Sequence, residues 1–130
     1  LGGNVWLMLM KYFYEAKLYR VVDGDTIDLL VDLGFNIHHR IRVRLHGVNT
    51  PETCAADKLE KSKAIAAKDY VYDWLVGQDK IFVKTVKDPE AKYGTILGYV
   101  YSDENLTACL NDDIIDSGHG VPYYGSKKYS

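Results

Sequence analysis

Surplus positive charge, cysteine and long apolar runs are all scarce in this chain. Sixteen lysines and arginines stand against eighteen acidic residues, a formal net charge of −2. Proteins that hold polyanions by bulk electrostatics carry a clear positive excess, so any such partner here must be met by locally clustered cations. Only two cysteines occur, Cys54 and Cys109, without a CxxC or paired Cys/His spacing. That excludes a disulfide framework and a zinc site. Both read as free thiols, with a single bridge as the alternative. The one apolar run near the start, residues 5–10, is too short to span a bilayer. Its charge, Lys11, follows the run rather than preceding it, unlike a signal peptide. Repeats and low-complexity segments are absent.

What is present suits a compact fold. At 130 residues, with 47% hydrophobic and 26% charged side chains, the chain matches one ordinary globular domain, which argues against disorder and membrane residence. Residues 1–10 read as an N-terminal extension, either native or with residues 1–3 as a processing or cloning remnant and Met8 or Met10 as the start, and residues 11–130 as the single domain. The sequence assigns no compartment.

The first half alternates with a period of two. Residues 12–22 interleave aromatic and β-branched side chains with Glu15, Lys17 and Arg20, as a half-buried strand requires. Asp23-Gly24 signals a turn, and residues 26–32 resume alternation with Ile27, Leu29 and Val31 on one side. Residues 33–36 reverse the chain. Residues 38–48 then place Ile41, Val43 and Leu45 on one face, and Arg40, Arg42, Arg44 and His46 on the other. From about residue 57 to 76 the period changes. Ala64, Ala67, Val71 and Leu75 recur at helical spacing, and Gly77 is a sensible stop. Strands follow at 80–87 and 96–101, and a second helix at 106–117 closed by Gly118. The tail from Pro122 is short and polar. Strands with helices at fixed places, one after the third strand and one after the fifth, favour a mainly β (α+β) chain built as a small closed barrel.

Two stretches at strand ends carry candidate chemistry. Asp23-Gly24-Asp25-Thr26 is by itself a common turn signature. Asn49-Thr50-Pro51-Glu52 is by itself a helix-start signal. Together they offer Asp25, the Asn49 amide, the Thr50 oxygens and Glu52, hard oxygen ligands of the kind calcium accepts, if the two strand ends adjoin. Arg44, next to them on the outward face, suits bidentate contact with a phosphate. Arg40 and Arg42 extend a local positive stripe, or belong to a solvated strand face.

These stretches, Asp23-Gly-Asp-Thr and Arg44-Leu-(x3)-Asn-Thr-Pro-Glu52, resemble the staphylococcal nuclease (thermonuclease) family. A third, Lys92-Tyr93-Gly94 followed by Leu97-Gly98-Tyr99-Val100-Tyr101, is similar to that family's next motif. The resemblance runs from about Lys11 to Tyr124. It implies a five-stranded OB-type barrel and calcium-dependent cleavage of single-stranded DNA and RNA by a monomer. By position, it makes Asp25 and Thr50 metal ligands, with Asn49 beside them and Asp23 as an outer acid. Glu52 directs the attacking water, Arg44 holds the phosphate, and Lys92, Tyr93 and Tyr124 contact substrate.

Two positions depart from the family pattern. Asn49 stands where an aspartate is usual, which removes a negative charge and weakens metal binding. Thr95 follows Lys-Tyr-Gly where a second arginine is usual, so a cation for the transition state is missing. Either Lys92 or a stripe arginine replaces it, or the enzyme is slow, or the chain is a non-catalytic module that binds nucleic acid or a protein.

Overall fold

The computed structural model describes residues 12–54, 56–86, 94–124 and 127–128, with side chains as far as Tyr123. The expected extension at 1–10, and Lys92 and Tyr93, lie outside the described residues. The elements in chain order are β1 (Phe13–Asp23), β2 (Thr26–Asp32), β3 (His38–Leu45), β4 (Val48–Asn49) and α1 (Lys58–Val76). β5 (Ile81–Val86), β6 (Thr95–Tyr101), α2 (Leu110–Asp116), β7 (Val121–Tyr124) and β8 (Lys127–Lys128) complete them.

Alternation decides how the strands close. Ile27, Leu29, Val31, Val43 and Leu45 are all buried, as their spacing predicts, and each strand therefore has one face that must be covered. The solution is a closed barrel in the order β1-β2-β3-β6-β5, with β5 pairing back to β1. Every pairing is antiparallel except β3 with β6, where Arg42 lies beside Thr95 and Arg44 beside Leu97. This is the expected OB-type architecture, with a helix after β3 and another after β6.

α1 covers one end of the barrel. Ala64, Ala67, Val71 and Leu75 are its buried residues, and the Asp57 carboxylate caps its start by accepting from Leu59 N–H. Trp74 Nε1 donates to the Asp113 carboxylate at 2.8 Å, which ties α1 to α2. Among the described residues no helix is long and apolar enough to cross a membrane.

Three expectations need correction. The third strand does not run unbroken to Val48: it ends at Leu45, and a turn with Gly47 at φ 77° separates off β4. The second helix does not begin at 106. Asp103 accepts from Asn105 and Thr107 N–H groups, Leu106 has φ 60°, and only from Leu110 is the chain helical. Such local capture by a short carboxylate competes directly with helix formation. Lastly, the tail is not an idle polar segment. β7 pairs with β4, Val48 opposite Pro122 and Asn49 opposite Val121, and β8 pairs with β7.

One buried polar side chain joins these parts. Asn111, 2% exposed, donates to the carbonyls of His46 and Gly98 and accepts from Val100 N–H. It fastens α2 to β6 and to the turn after β3. Asn111→Ala strands a buried N–H and withdraws a donor from two carbonyls, so unfolding stability should fall by about 3 kcal/mol. A urea titration of both proteins measures this, and a change under about 1 kcal/mol would show the network to be dispensable.

Candidate active site

The β1–β2 turn and the chain after β3 meet through Asp25. Its backbone carbonyl accepts from Leu45 N–H at 2.8 Å, and its carboxylate accepts from Thr50 N–H at 3.1 Å and Thr26 Oγ1 at 3.0 Å. The two strand ends singled out by sequence therefore adjoin. Gly24 is required here for space: a Cβ would lie 2.8 Å from Ala67 Cβ and 2.9 Å from Thr50 Oγ1. α1 and Thr50 press on the turn from outside, which is why glycine separates the two aspartates.

Arg44 points from the outer face of β3 into the same place. Its Nη1 lies 3.6 Å from the Asp25 carboxylate and donates to Val48 O at 3.0 Å, while Nη2 donates to Asn49 Oδ1 at 3.1 Å. The Arg44 guanidinium also lies 5.2 Å from the Tyr123 ring centre, within cation–π range. The Arg44 side chain is 26% exposed and that of Asp25 13%, so the pair is sheltered yet reachable. Thr50 is buried, and its Oγ1 has no hydrogen-bond partner among the described residues.

Glu52 is exposed at the rim, its carboxylate 3.7 Å from Cys54 Sγ. Asp23 faces the following loop, accepting from Thr53 Oγ1 at 2.8 Å. A cavity of about 400 Å³ is shared by Asp23, Asp25, Arg44, Asn49, Thr50 and Glu52, with Glu60 from the first turn of α1 on its wall. A second cavity of about 540 Å³ adjoins it across Thr50 and Pro51, bordered by His119 and Lys63. Both cysteines are free, and burial pushes the Cys109 thiol up.

The donors around the first cavity are all oxygens, which suits a hard cation rather than a soft one. Among the described residues no three His, Cys, Asp or Glu side chains converge as a ready-made ligand cluster. A cation here must therefore draw on carbonyl, amide and water oxygens beside Asp25, a mode calcium accepts.

The profile of the staphylococcal nuclease homologue family matches residues 42–129. The chain belongs to that family. It is 30% identical over 116 residues to Endonuclease YhcR of Bacillus subtilis (strain 168), covering 85% of this chain and 9% of that protein. It is 33% identical over 87 residues to the Thermonuclease of Staphylococcus intermedius, covering 67% of this chain and 48% of that protein. The chain thus spans about a tenth of one curated relative and about half of the other.

Against the family pattern, the structure brings Asp25, Arg44, Asn49, Thr50 and Glu52 to one cavity and turns Asp23 towards Thr53. The backbone of Tyr124 lies in β7, but its side chain, like Lys92 and Tyr93, is outside what is described. Tyr123, one residue from the position the resemblance assigns to Tyr124, approaches Arg44. Sequence reasoning missed Asp28. This carboxylate is 1% exposed and is held by Arg20 Nε at 3.1 Å, Arg40 Nη2 at 3.1 Å, and Arg42 Nε and Nη2 at 2.9 and 3.3 Å. A signal was present: folding β2 on β3 about residues 33–36 sets Asp28 opposite Arg42. The stripe arginines Arg40 and Arg42 are therefore engaged by Asp28, which leaves Arg44 as the member of the stripe aimed at the cavity.

Hydrogen bonding from Arg42, against the opposing cost of burial and with help from Arg40 and Arg20, holds the Asp28 carboxyl well below the usual carboxylate range. A carboxyl depressed in the folded state contributes stability above its unfolded pKa of about 4, and that contribution is lost as pH falls. Asp28→Asn should lower stability at neutral pH by roughly 1–3 kcal/mol, and its stability should then fall less steeply than the wild type's as the pH drops below about 4. Urea midpoints across pH test this. Parallel curves would mean Asp28 titrates normally.

Proposed function

We propose that this domain is a calcium-dependent, sequence-tolerant endonuclease that hydrolyses phosphodiester bonds of single-stranded DNA and RNA as a monomer. The observation that carries this reading is the convergence of Asp25, Thr50 and Arg44 on one cavity with Glu52 at its rim, in a chain of the staphylococcal nuclease family. Both curated relatives bear nuclease names.

The roles follow from charge. Asp25 and oxygens of Thr50 and Asn49 would hold the cation, which would neutralise charge on the phosphate and favour a nucleophilic water. Arg44 grips the phosphate undergoing attack through paired N–H donors, and the Tyr123 face steadies its guanidinium. Glu52 orients water for attack on phosphorus and accepts its proton as the new P–O bond forms and the old one breaks. The leaving oxygen takes a proton from solvent. Asp23 acts indirectly, fixing the loop that bears Glu52 through Thr53. Lys92, Tyr93 and Tyr124 contact neighbouring phosphates and bases.

A specific feature favours a second reading, a binding module of low activity. Thr95 begins β6 directly beside Arg42, and it cannot supply the charge of an arginine. Arg40 and Arg42 are drawn to Asp28, so neither is a ready substitute.

One experiment separates the two. Fluorescent single-stranded DNA is incubated with the protein in calcium or chelator, beside Glu52→Gln and Thr95→Arg variants. Cleavage should require calcium, fall by about 10²–10⁴-fold in Glu52→Gln, and rise by up to about 10²-fold in Thr95→Arg. Binding without any calcium-dependent cleavage at high protein concentration would sink the nuclease reading and leave the module.

A further inference from the structure

We propose that the outer wall of the barrel carries a second phosphate-binding track, in which Arg42, Arg40 and Arg20, aligned by Asp28, receive the single strand that continues from the Arg44 cavity. The proposal rests on the nucleic-acid reading above and names the path of the substrate beyond the cleaved bond.

Stoichiometry is the first argument. One buried carboxylate needs one guanidinium for neutrality, yet Asp28 gathers three. The cluster keeps a surplus of two positive charges on a chain whose net charge is −2. Hydrogen bonds from all three satisfy the buried carboxylate, but the surplus charge they bring repels itself and is unmatched until an anion binds outside.

Exposure is the second. The side chains of Arg20, Arg40 and Arg42 are 55%, 49% and 43% exposed, while that of Asp28 is 2%. The carboxylate lies beneath and fixes the three forks, each of which has five donors and spends only one or two on Asp28. Guanidinia already immobilised lose less entropy on gripping a phosphate than free side chains do.

Register is the third. Arg40, Arg42 and Arg44 share one face of β3, so their successive Cα positions stand about 6.8 Å apart along the strand, while Asp28 draws the heads of Arg40, Arg42 and Arg20 into one cluster beyond Arg44. That Cα step is close to the one between neighbouring phosphates of an extended single strand. With Arg44 on the cleaved phosphate, the cluster of Arg42, Arg20 and Arg40 around Asp28 meets the next one or two, Arg20 and Arg42 flanking Asp28 from β1 and β3. Tyr19, half exposed, lies with its ring 4.0 Å from the Arg40 guanidinium. It adds aromatic surface beside the cluster that a base can meet, as in single-strand binders. A local cluster of this kind is what a chain without bulk positive charge needs in order to hold a polyanion.

The test uses oligothymidylates of two, four and about eight nucleotides, with binding measured by fluorescence anisotropy in chelator over a range of salt. Wild-type affinity should climb from two to four nucleotides, by tenfold or more. In Arg20→Ala/Arg40→Ala the slope of log affinity against log salt for the longest strand should flatten by about 0.7–1.4, the loss of one or two phosphate contacts. In calcium, the ratio of kcat/KM for the longest strand to that for the dinucleotide should fall tenfold. Arg20→Lys/Arg40→Lys keeps the charge and should restore the slope, whereas a purely structural role for the forks would not be rescued. An unchanged slope and ratio in the alanine variant overturn the track. So does a wild-type affinity that is flat from two to four nucleotides, a measurement that stands even if the variant does not fold. If no strand is cleaved in calcium but the slope still flattens, the nuclease reading fails and the track survives.

Discussion

Asp25 is the residue on which the site depends, because it is shared between fold and chemistry. Its carbonyl accepts from Leu45 at the end of β3, and its carboxylate accepts from Thr50 N–H and faces Arg44. The β2–β3 ladder sets Thr26 opposite Arg44, and these bonds carry that adjacency on to the segment after β3. With them, a charged pair is sheltered in a cavity where electrostatic interactions are stronger than in water. Arg44 also spans Val48 O and Asn49 Oδ1. In this arrangement the guanidinium neutralises part of the oxygen set that a cation would otherwise see. On the proposed reading, metal affinity and the position of Arg44 would be coupled, with the neutral Asn49 side chain already bound to Arg44.

The barrel supplies rigidity at this point from several directions. α1 presses on Gly24 through Ala67, β7 holds β4 in place, and Asn111 pins the turn at His46 to β6 and α2. Each contact comes from a part of the chain remote in sequence. The result is a candidate site built on strand ends and braced by helices, so that its groups sit on or beside rigid elements.

That remoteness explains what could be read in advance. The strands of the barrel and the buried face of α1 were legible, because periods of two and 3.6 are local properties and Ile27, Val43, Ala64 and Val71 obey them. So was the adjacency of Asp25 and Thr50, through the family resemblance. The role of β7 was not legible. Pro122 and the tyrosines after it look like a loose tail until β4 is there to pair with them, and only that pairing brings Tyr123 towards Arg44. The start of α2 was hidden for the opposite reason. Asp103 captures nearby N–H groups, a local bond that overrides helical propensity and leaves no trace in the apolar pattern.

Asp28 sharpens the question that net charge raises. An overall charge of −2 appears unsuited to a polyanion, but binding responds to the local field, and salt screens contributions from beyond about 8–10 Å. The structure divides the arginines of the hairpin into two sets by means of two carboxylates. Asp25 and Asn49 turn Arg44 inward to the cavity, while Asp28 holds Arg20, Arg40 and Arg42 on the wall. Asp25 and Asp28 lie on either side of Thr26 and Ile27, just before β2 and within it, so two acids three residues apart set the geometry of four cations. In such a surface the acids cancel only part of the positive charge. They decide where it points, and a chain with few cations to spare gains more from their direction than from their number.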